Sequence, residues 1–261
     1  VAVLGLWLII GIGISCGIVF TVAPSVDLAV AEFLRHSAVR AVLDPVQPLV
    51  DALRNLNLRL TILVLGLSAM TLVLFAIRRT VLTQMHMRAA LLIVLAFSLA
   101  PGLLVNGLLK EFWGRPRPHQ VVEFGGPQEF KAWWDPTGSC PRNCSFVSGE
   151  ASSAFAMLAV AAAAPPPAQM PAIGVAVVYG LLIGFVRMVV GGHFLSDVVF
   201  AGVFTALIVW LLHGWLFRWR EAGSASRLQF RLSGLWRQFW ELSKLVRYSA
   251  WDARGFGRSV Q

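Results

Sequence analysis

The chain has 261 residues, 57% of them hydrophobic and only 13% charged, against about 25% charged in an ordinary soluble domain. That balance excludes a single water-soluble core and reads as several membrane helices in one all-α domain. The formal net charge of +9 gathers mainly after Phe217, beside an apolar run, where a cytoplasmic basic flank accounts for it; nucleic-acid binding has no recognised module behind it.

Apolar runs predict six spans, in this order: Val1 to Val22, Leu60 to Ile77, Ala89 to Leu109, Gly149 to Ala164, Ala172 to Val190 and Phe194 to Phe217. Each is near the ~20 residues that cross a ~30 Å hydrocarbon layer, and the fourth is short and Ala-rich. The first run has no charged leader and no clear cleavage pattern, so it reads as a span with a trimmed start rather than a signal peptide. From Ala23 to Asn57, apolar residues recur at helical spacing and break at Pro45 and Pro48, which predicts short helices on the outer surface. Arg78, Arg79 and Arg88 flank the loop between the second and third spans, and the tail is rich in arginine. The positive-inside bias puts both in the cytoplasm, so Lys110 to Ser148 and Arg187 to Gly192 face outside.

The expected organisation is a six-span domain over 1–217 and a basic tail over 218–261. In the tail, Leu228, Leu232, Leu235, Phe239, Leu242 and Val246 fall on one helical face. Trp236, Trp240 and Trp251 suit a membrane interface, so the tail reads as an amphipathic helix along the inner leaflet. Of three cysteines, Cys16 lies in an apolar run and reads as packing. Cys140 and Cys144 share a polar loop and can form a disulfide in an oxidising compartment. No ligand spacing points to a metal.

Three polar clusters stand at span ends on the outer side. The first is Lys110 to Pro118, whose Lys110, Arg115 and Arg117 supply cations on a chain stiffened by prolines; guanidinium forks suit phosphate oxygens. Cys144 to Glu150 forms the second, opening the fourth span. Ser148 and Gly149 there expose helix-start N–H groups that can hold an anion, or simply cap the helix. In the third, Arg187 to Asp197, His193 and Asp197 are four residues apart. On a helix they would share a face, the carboxylate holding one imidazole nitrogen while the other attacks. A buried His–Asp pair without catalysis is the alternative. Together the clusters offer cations, an anion-binding helix start and a nucleophile, the inventory of phosphoryl transfer.

These residues resemble the type 2 phosphatidic acid phosphatase (PAP2) superfamily of lipid phosphatases. The family pattern K-x6-R-P, P-S-G-H, S-R-x5-H-x3-D is met by Lys110 with Arg117-Pro118, by Val147-Ser148-Gly149-Glu150 and by Val186-Arg187 with His193 and Asp197. The resemblance covers about Leu60 to Phe217. It implies that Lys110, Arg117 and Arg187 clamp phosphate, that Ser148 and the Gly149 N–H complete the cradle, that His193 attacks phosphorus and that Asp197 orients it, without metal or cofactor. Glu150 stands where the family has a histidine that protonates the leaving group. It can take that catalytic role only while protonated, and the nearby cations oppose this. The run Asn143 to Glu150, with Phe-Gly-Gly upstream, resembles bacterial lipid A phosphatases within the superfamily. The expected substrate is a phosphorylated membrane lipid in the bilayer: lipid A first, then a polyprenyl diphosphate or phosphatidylglycerol phosphate. The expected place is the inner (plasma) membrane, with the site facing the periplasm and the C-terminus in the cytoplasm. A catalytically inactive lipid-binding protein remains open, and a transporter is disfavoured because the ionisable residues sit at span ends.

Overall fold

The computed structural model describes residues 2–78 and 81–219. Contacts divide the chain at Gly214 into a large unit, Val1–Gly214, and a second unit, Trp215–Gln261. The tail helix expected around Leu228 to Val246, and Arg79, lie outside the described residues.

Helices account for nearly all regular structure, and no strand occurs among the described residues. The protein is an all-α polytopic membrane protein. Among the described residues, five segments are long and apolar enough to cross a bilayer: Leu4–Val22, Ser37–Arg78, His86–Phe112, Pro166–Val189 and Leu195–Arg218.

α1 (Ala2–Val22) is apolar on every side, as a lipid-facing helix must be. α2 (Ser25–Arg35) and α3 (Ser37–Leu43) follow. They are the short helices expected here, but the expectation fails at its far end. α4 runs over Gln47–Arg78, so Gln47 to Asn57 is continuous with the helix of the second span. Pro48 falls in its first turn, where the missing N–H costs nothing, and it starts the helix rather than breaking it. α5 (Val81–Phe97) passes into a π-helical stretch, Ser98–Leu109, that contains Pro101, and ends in the short α6 (Lys110–Phe112).

The fourth expected span is two short helices, α7 (Gly149–Phe155) and α8 (Leu158–Ala162). Together they reach only about 21 Å at the α-helical rise. α9 (Pro166–Val189) and α10 (Leu195–His213) enclose α7. Gly180 and Gly184 on α9 leave room for the Phe155 ring and for Val198, so the three helices approach closely through small residues.

The core joins Phe20 of α1, Val105, Phe146, Ala151, Phe155 and Phe200. Trp133 stacks on Phe200 with ring centroids 4.3 Å apart, and Trp113 lies 5.0 Å from Phe146. The Trp113 indole donates to the Trp133 carbonyl at 2.7 Å. These rings fasten the long polar loop 113–148 onto the helix ends, and that loop carries half of the candidate site.

Candidate active site

His193 sits in the turn between α9 and α10 and is only 2% exposed. Gly191 makes that turn with φ +70°, a conformation open to glycine. The His193 Nδ1–H donates to the Ser145 carbonyl at 2.8 Å, with the tautomer set by that acceptor. This leaves Nε2 as the nitrogen with a free lone pair. Burial pushes the imidazole down to about 4, against the pull of Asp197, and the Lys110 and Arg187 cations add to the fall. The resting form near neutral pH is therefore the neutral, nucleophilic one.

Asp197 stands beside His193 and pulls its imidazole toward the charged form. Its Oδ2 lies 3.7 Å from Nδ1, beyond a hydrogen bond. Residues four apart share a face only when both lie on one helix, but His193 precedes α10. Asp197 stands in the first turn of α10 and accepts the Phe194 N–H at 2.8 Å. It also accepts from the Ser145 hydroxyl and, at 2.6 Å, from Arg115 Nη1. Ser145 links the two: its carbonyl holds the imidazole and its hydroxyl holds the carboxylate.

Arg115, a cation of the first cluster that is not among the expected clamp residues, is turned away from the clamp. It is 0% exposed and donates to Asp27 at 2.8 Å, to Asp197, to the Ser196 hydroxyl and to the Lys131 carbonyl. Phe194 and Phe130 lie against its guanidinium. Asp27, from α2, also accepts the Ser196 N–H at 2.8 Å. This buried network ties α2, the polar loop and the start of α10 together beneath His193.

The other three cations converge on the cleft from separate elements. Lys110 and Arg187 each lie within electrostatic reach of Arg117. Arg117 donates to the Asn143 carbonyl at 2.8 Å and to its side-chain oxygen at 2.9 Å. Asn143 presents both oxygens because it adopts φ +52°, which asparagine tolerates better than most residues. A disulfide between Cys140 and Cys144, with Cα atoms 5.8 Å apart, closes the turn around it. Lys110 Nζ reaches the Asn143 side chain at 3.5 Å and packs against Gly149, where a Cβ would lie 3.1 Å from it. Arg187 packs against Gly192 in the same way. It is 7% exposed, and its Nε–H has no partner among the described residues. A buried orphan donor is costly, and an anion oxygen would satisfy it.

Ser148 is the N-cap of α7, and its hydroxyl accepts the Ala151 N–H at 3.4 Å. Ser148 and Gly149 thus place a helix start beside Lys110. Glu150, next in the chain, is occupied. Arg54 of α4 forks it, with Nε to Oε2 and Nη2 to Oε1 both 3.1 Å, and Arg187 Nη1 lies 3.4 Å from Oε1. A carboxylate held by two arginines favours the ionised form, which runs against the proton-donor role its place in the motif implies. Replacing Glu150 with Gln should therefore leave the shape of the pH–rate profile unchanged while raising KM through the displaced Arg187. A profile whose basic limb disappears in this variant would restore Glu150 as the acid.

Sequence reasoning missed Ser145, Asn143, Asp27 and Arg54. Ser145 acts partly through a backbone carbonyl, which any residue could supply. Asp27 and Arg54 sit between Ala23 and Asn57 among mixed charges, and nothing local marks them.

Comparison with known proteins adds to this geometry. Residues 90–221 match the PAP2 superfamily. The chain is 38% identical over 137 residues to a lipid A 4'-phosphatase of Francisella tularensis subsp. novicida, covering 52% of this chain and 62% of that protein. It is 40% identical over 111 residues to a lipid A 4'-phosphatase of Rhizobium leguminosarum, covering 42% and 47%. The protein of that name from Rhizobium etli is 40% identical over 114 residues, covering 44% of each chain. The chain thus spans less than two thirds of the length of these curated relatives. No solved structure matches it. The matched stretch is about half of the sequence and contains every motif residue from Lys110 to Asp197, and on that match the chain belongs to the PAP2 superfamily.

Proposed function

We propose that this chain is a membrane lipid phosphatase that works through a phosphohistidine at His193, with lipid A as its substrate. The observation that carries this reading is a buried, neutral imidazole beside a cleft that holds three cations. Lys110, Arg117 and Arg187 bind the phosphate oxygens. The helix start at Ser148 and Gly149 adds N–H groups. His193 Nε2 forms a bond to phosphorus as the bond from phosphorus to the lipid oxygen breaks. The lipid oxygen leaves with the bonding pair and takes a proton from water, since both Glu150 oxygens are engaged by arginine. A second water then attacks phosphorus, the N–P bond breaks, the proton returns to solvent and neutral His193 is restored.

The names of the relatives support lipid A as the substrate, and the arginine-rich tail supports a cytoplasmic C-terminus with the cleft on the periplasmic side of the inner membrane. The engaged Glu150 favours one second reading, a polyprenyl diphosphate, whose leaving phosphate departs without a proton. The test is phosphate release by the purified chain from lipid A, a polyprenyl diphosphate, phosphatidylglycerol phosphate and phosphatidic acid. Lipid A should give the highest kcat/KM, and release from none of the four would end the proposal.

The acidic limb of kcat/KM reports free-enzyme groups. His193 is held at about 4, so protonation removes the nucleophile only as pH falls toward that value. Activity should persist through pH 6 and 5 and fall near 4. A limb centred near the ordinary histidine value of ~6.5 would contradict the buried, neutral imidazole.

A further inference from the structure

A cavity of about 680 Å³ adjoins the phosphate cleft, between α4 on one side and the π-helical stretch with the start of α7 on the other. Lys110, Gly149 and Glu150 line it, so it opens onto the clamp itself. Its two long walls change character in the same direction. Along α4 the lining passes from Arg54 and Asn55 through Thr61 to Leu65, roughly 16 Å at the helical rise. Opposite, it passes from Asn106 near the clamp to Pro101 and Phe97. One end is rich in amides and charge, and the other is apolar. That is the profile of an amphiphile whose polar part lies beside the phosphate.

The polar end also has unused capacity. Asn55 is exposed on the cavity lining, so its amide is open to a ligand. The Thr61 hydroxyl is buried and unpartnered, although a helical threonine can usually bond the carbonyl one turn back. Asn106 spends its N–H on the Pro101 carbonyl at 2.7 Å and turns its oxygen toward Gly149. The Arg54–Glu150 fork fixes a charged wall between these groups and Arg187. α4 lies outside residues 90–221, the stretch matched by the superfamily, whereas Glu150 and Asn106 lie within it.

We propose that this cavity is a headgroup subsite for an acylated sugar phosphate. Asn55, Thr61 and Asn106 hydrogen-bond hydroxyl or amide groups on the sugar next to the phosphate, and an acyl chain runs toward Leu65 and Phe97. A diacylglycerol phosphate offers ester carbonyls but no hydroxyl or amide donor, and a polyprenyl chain offers neither, so the acceptor oxygens of Asn55, Thr61 and Asn106 would find no donor on them. This assignment rests on the phosphatase reading above and names the residues that would select its substrate.

The test uses the full chain in mixed micelles with three substrates: lipid A, phosphatidic acid and the soluble p-nitrophenyl phosphate. The variants are Asn55→Leu and the near-isosteric Thr61→Val, neither in the clamp. Each should lower kcat/KM for lipid A by about five- to tenfold, the worth of one hydrogen bond, and leave the other two substrates within twofold. Unchanged selectivity between lipid A and phosphatidic acid in both variants would overturn the subsite while the phosphatase reading stood. So would an equal fall on all three substrates. Hydrolysis of p-nitrophenyl phosphate but of neither lipid by the unmodified chain would overturn the lipid phosphatase reading, and the subsite with it.

Discussion

His193→Ala is expected to lower phosphate release by roughly 10^4-fold or more, the scale seen when a covalent nucleophile is removed. No other side chain in the cleft can form the covalent intermediate: the remaining groups are cations, a capping serine and an engaged carboxylate. Loss of folding does not explain a fall of that size. The side chain makes one hydrogen bond, to the Ser145 carbonyl, and an orphaned carbonyl costs about 1–3 kcal/mol. The variant should therefore still purify as a folded protein and still bind a phosphate analogue such as vanadate through Lys110, Arg117 and Arg187. Turnover within tenfold of the unmodified chain would remove His193 from the mechanism. Asp197→Asn should cost less in rate, because Ser145 and not Asp197 holds the imidazole, but it also weakens the Arg115 network.

Arg115→Met is expected to be the most destabilising single change in the Lys110 to Pro118 motif. Arg115 is 0% exposed and Asp27 1%, and Asp197 is buried as well. Removing the cation leaves two buried carboxylates without a counter-charge, a loss of about 3–5 kcal/mol for a broken buried pair. Unfolding in detergent, followed by a helix signal, measures it. Lys110→Ala and Arg117→Ala make the contrast. Both side chains are partly exposed at the cleft, so these changes should lower kcat/KM and leave unfolding nearly unmoved. Equal stability in the Arg115 and Lys110 variants would show that the buried network does not hold the site together.

That contrast marks where the sequence was legible. Lys110, Arg115 and Arg117 are alike on paper, since each is a cation on a short proline-stiffened stretch. Which of them is buried depends on Asp27 and Asp197, 88 and 82 residues away, and no local pattern carries that information. His193 could be found because its chemistry is local, a histidine after two glycines at a span end. Its partner could not, because the acceptor is the Ser145 backbone. Helical spacing misled for Asp197, since the helix begins at Leu195 and His193 lies before it. Glu150 could be flagged as a departure from the family pattern, but Arg54, which decides its charge, looked like one more surface arginine. Five of the six expected spans were legible from hydropathy. The start of α4 was not, because proline opens a helix as readily as it ends one, and the fourth span is shorter than its Ala-rich run suggests.

The most direct measurement is to trap the intermediate. Purified protein is mixed with lipid carrying a labelled phosphate, quenched in alkali within one turnover, digested and read by mass spectrometry. Phosphohistidine survives alkali and is lost in acid. The account expects labelled phosphate on His193 in the unmodified chain, none there in His193→Ala, and loss of the label when the same sample is acidified. Steady phosphate release with no label on His193, or with acid-stable label on a serine such as Ser148, would contradict it.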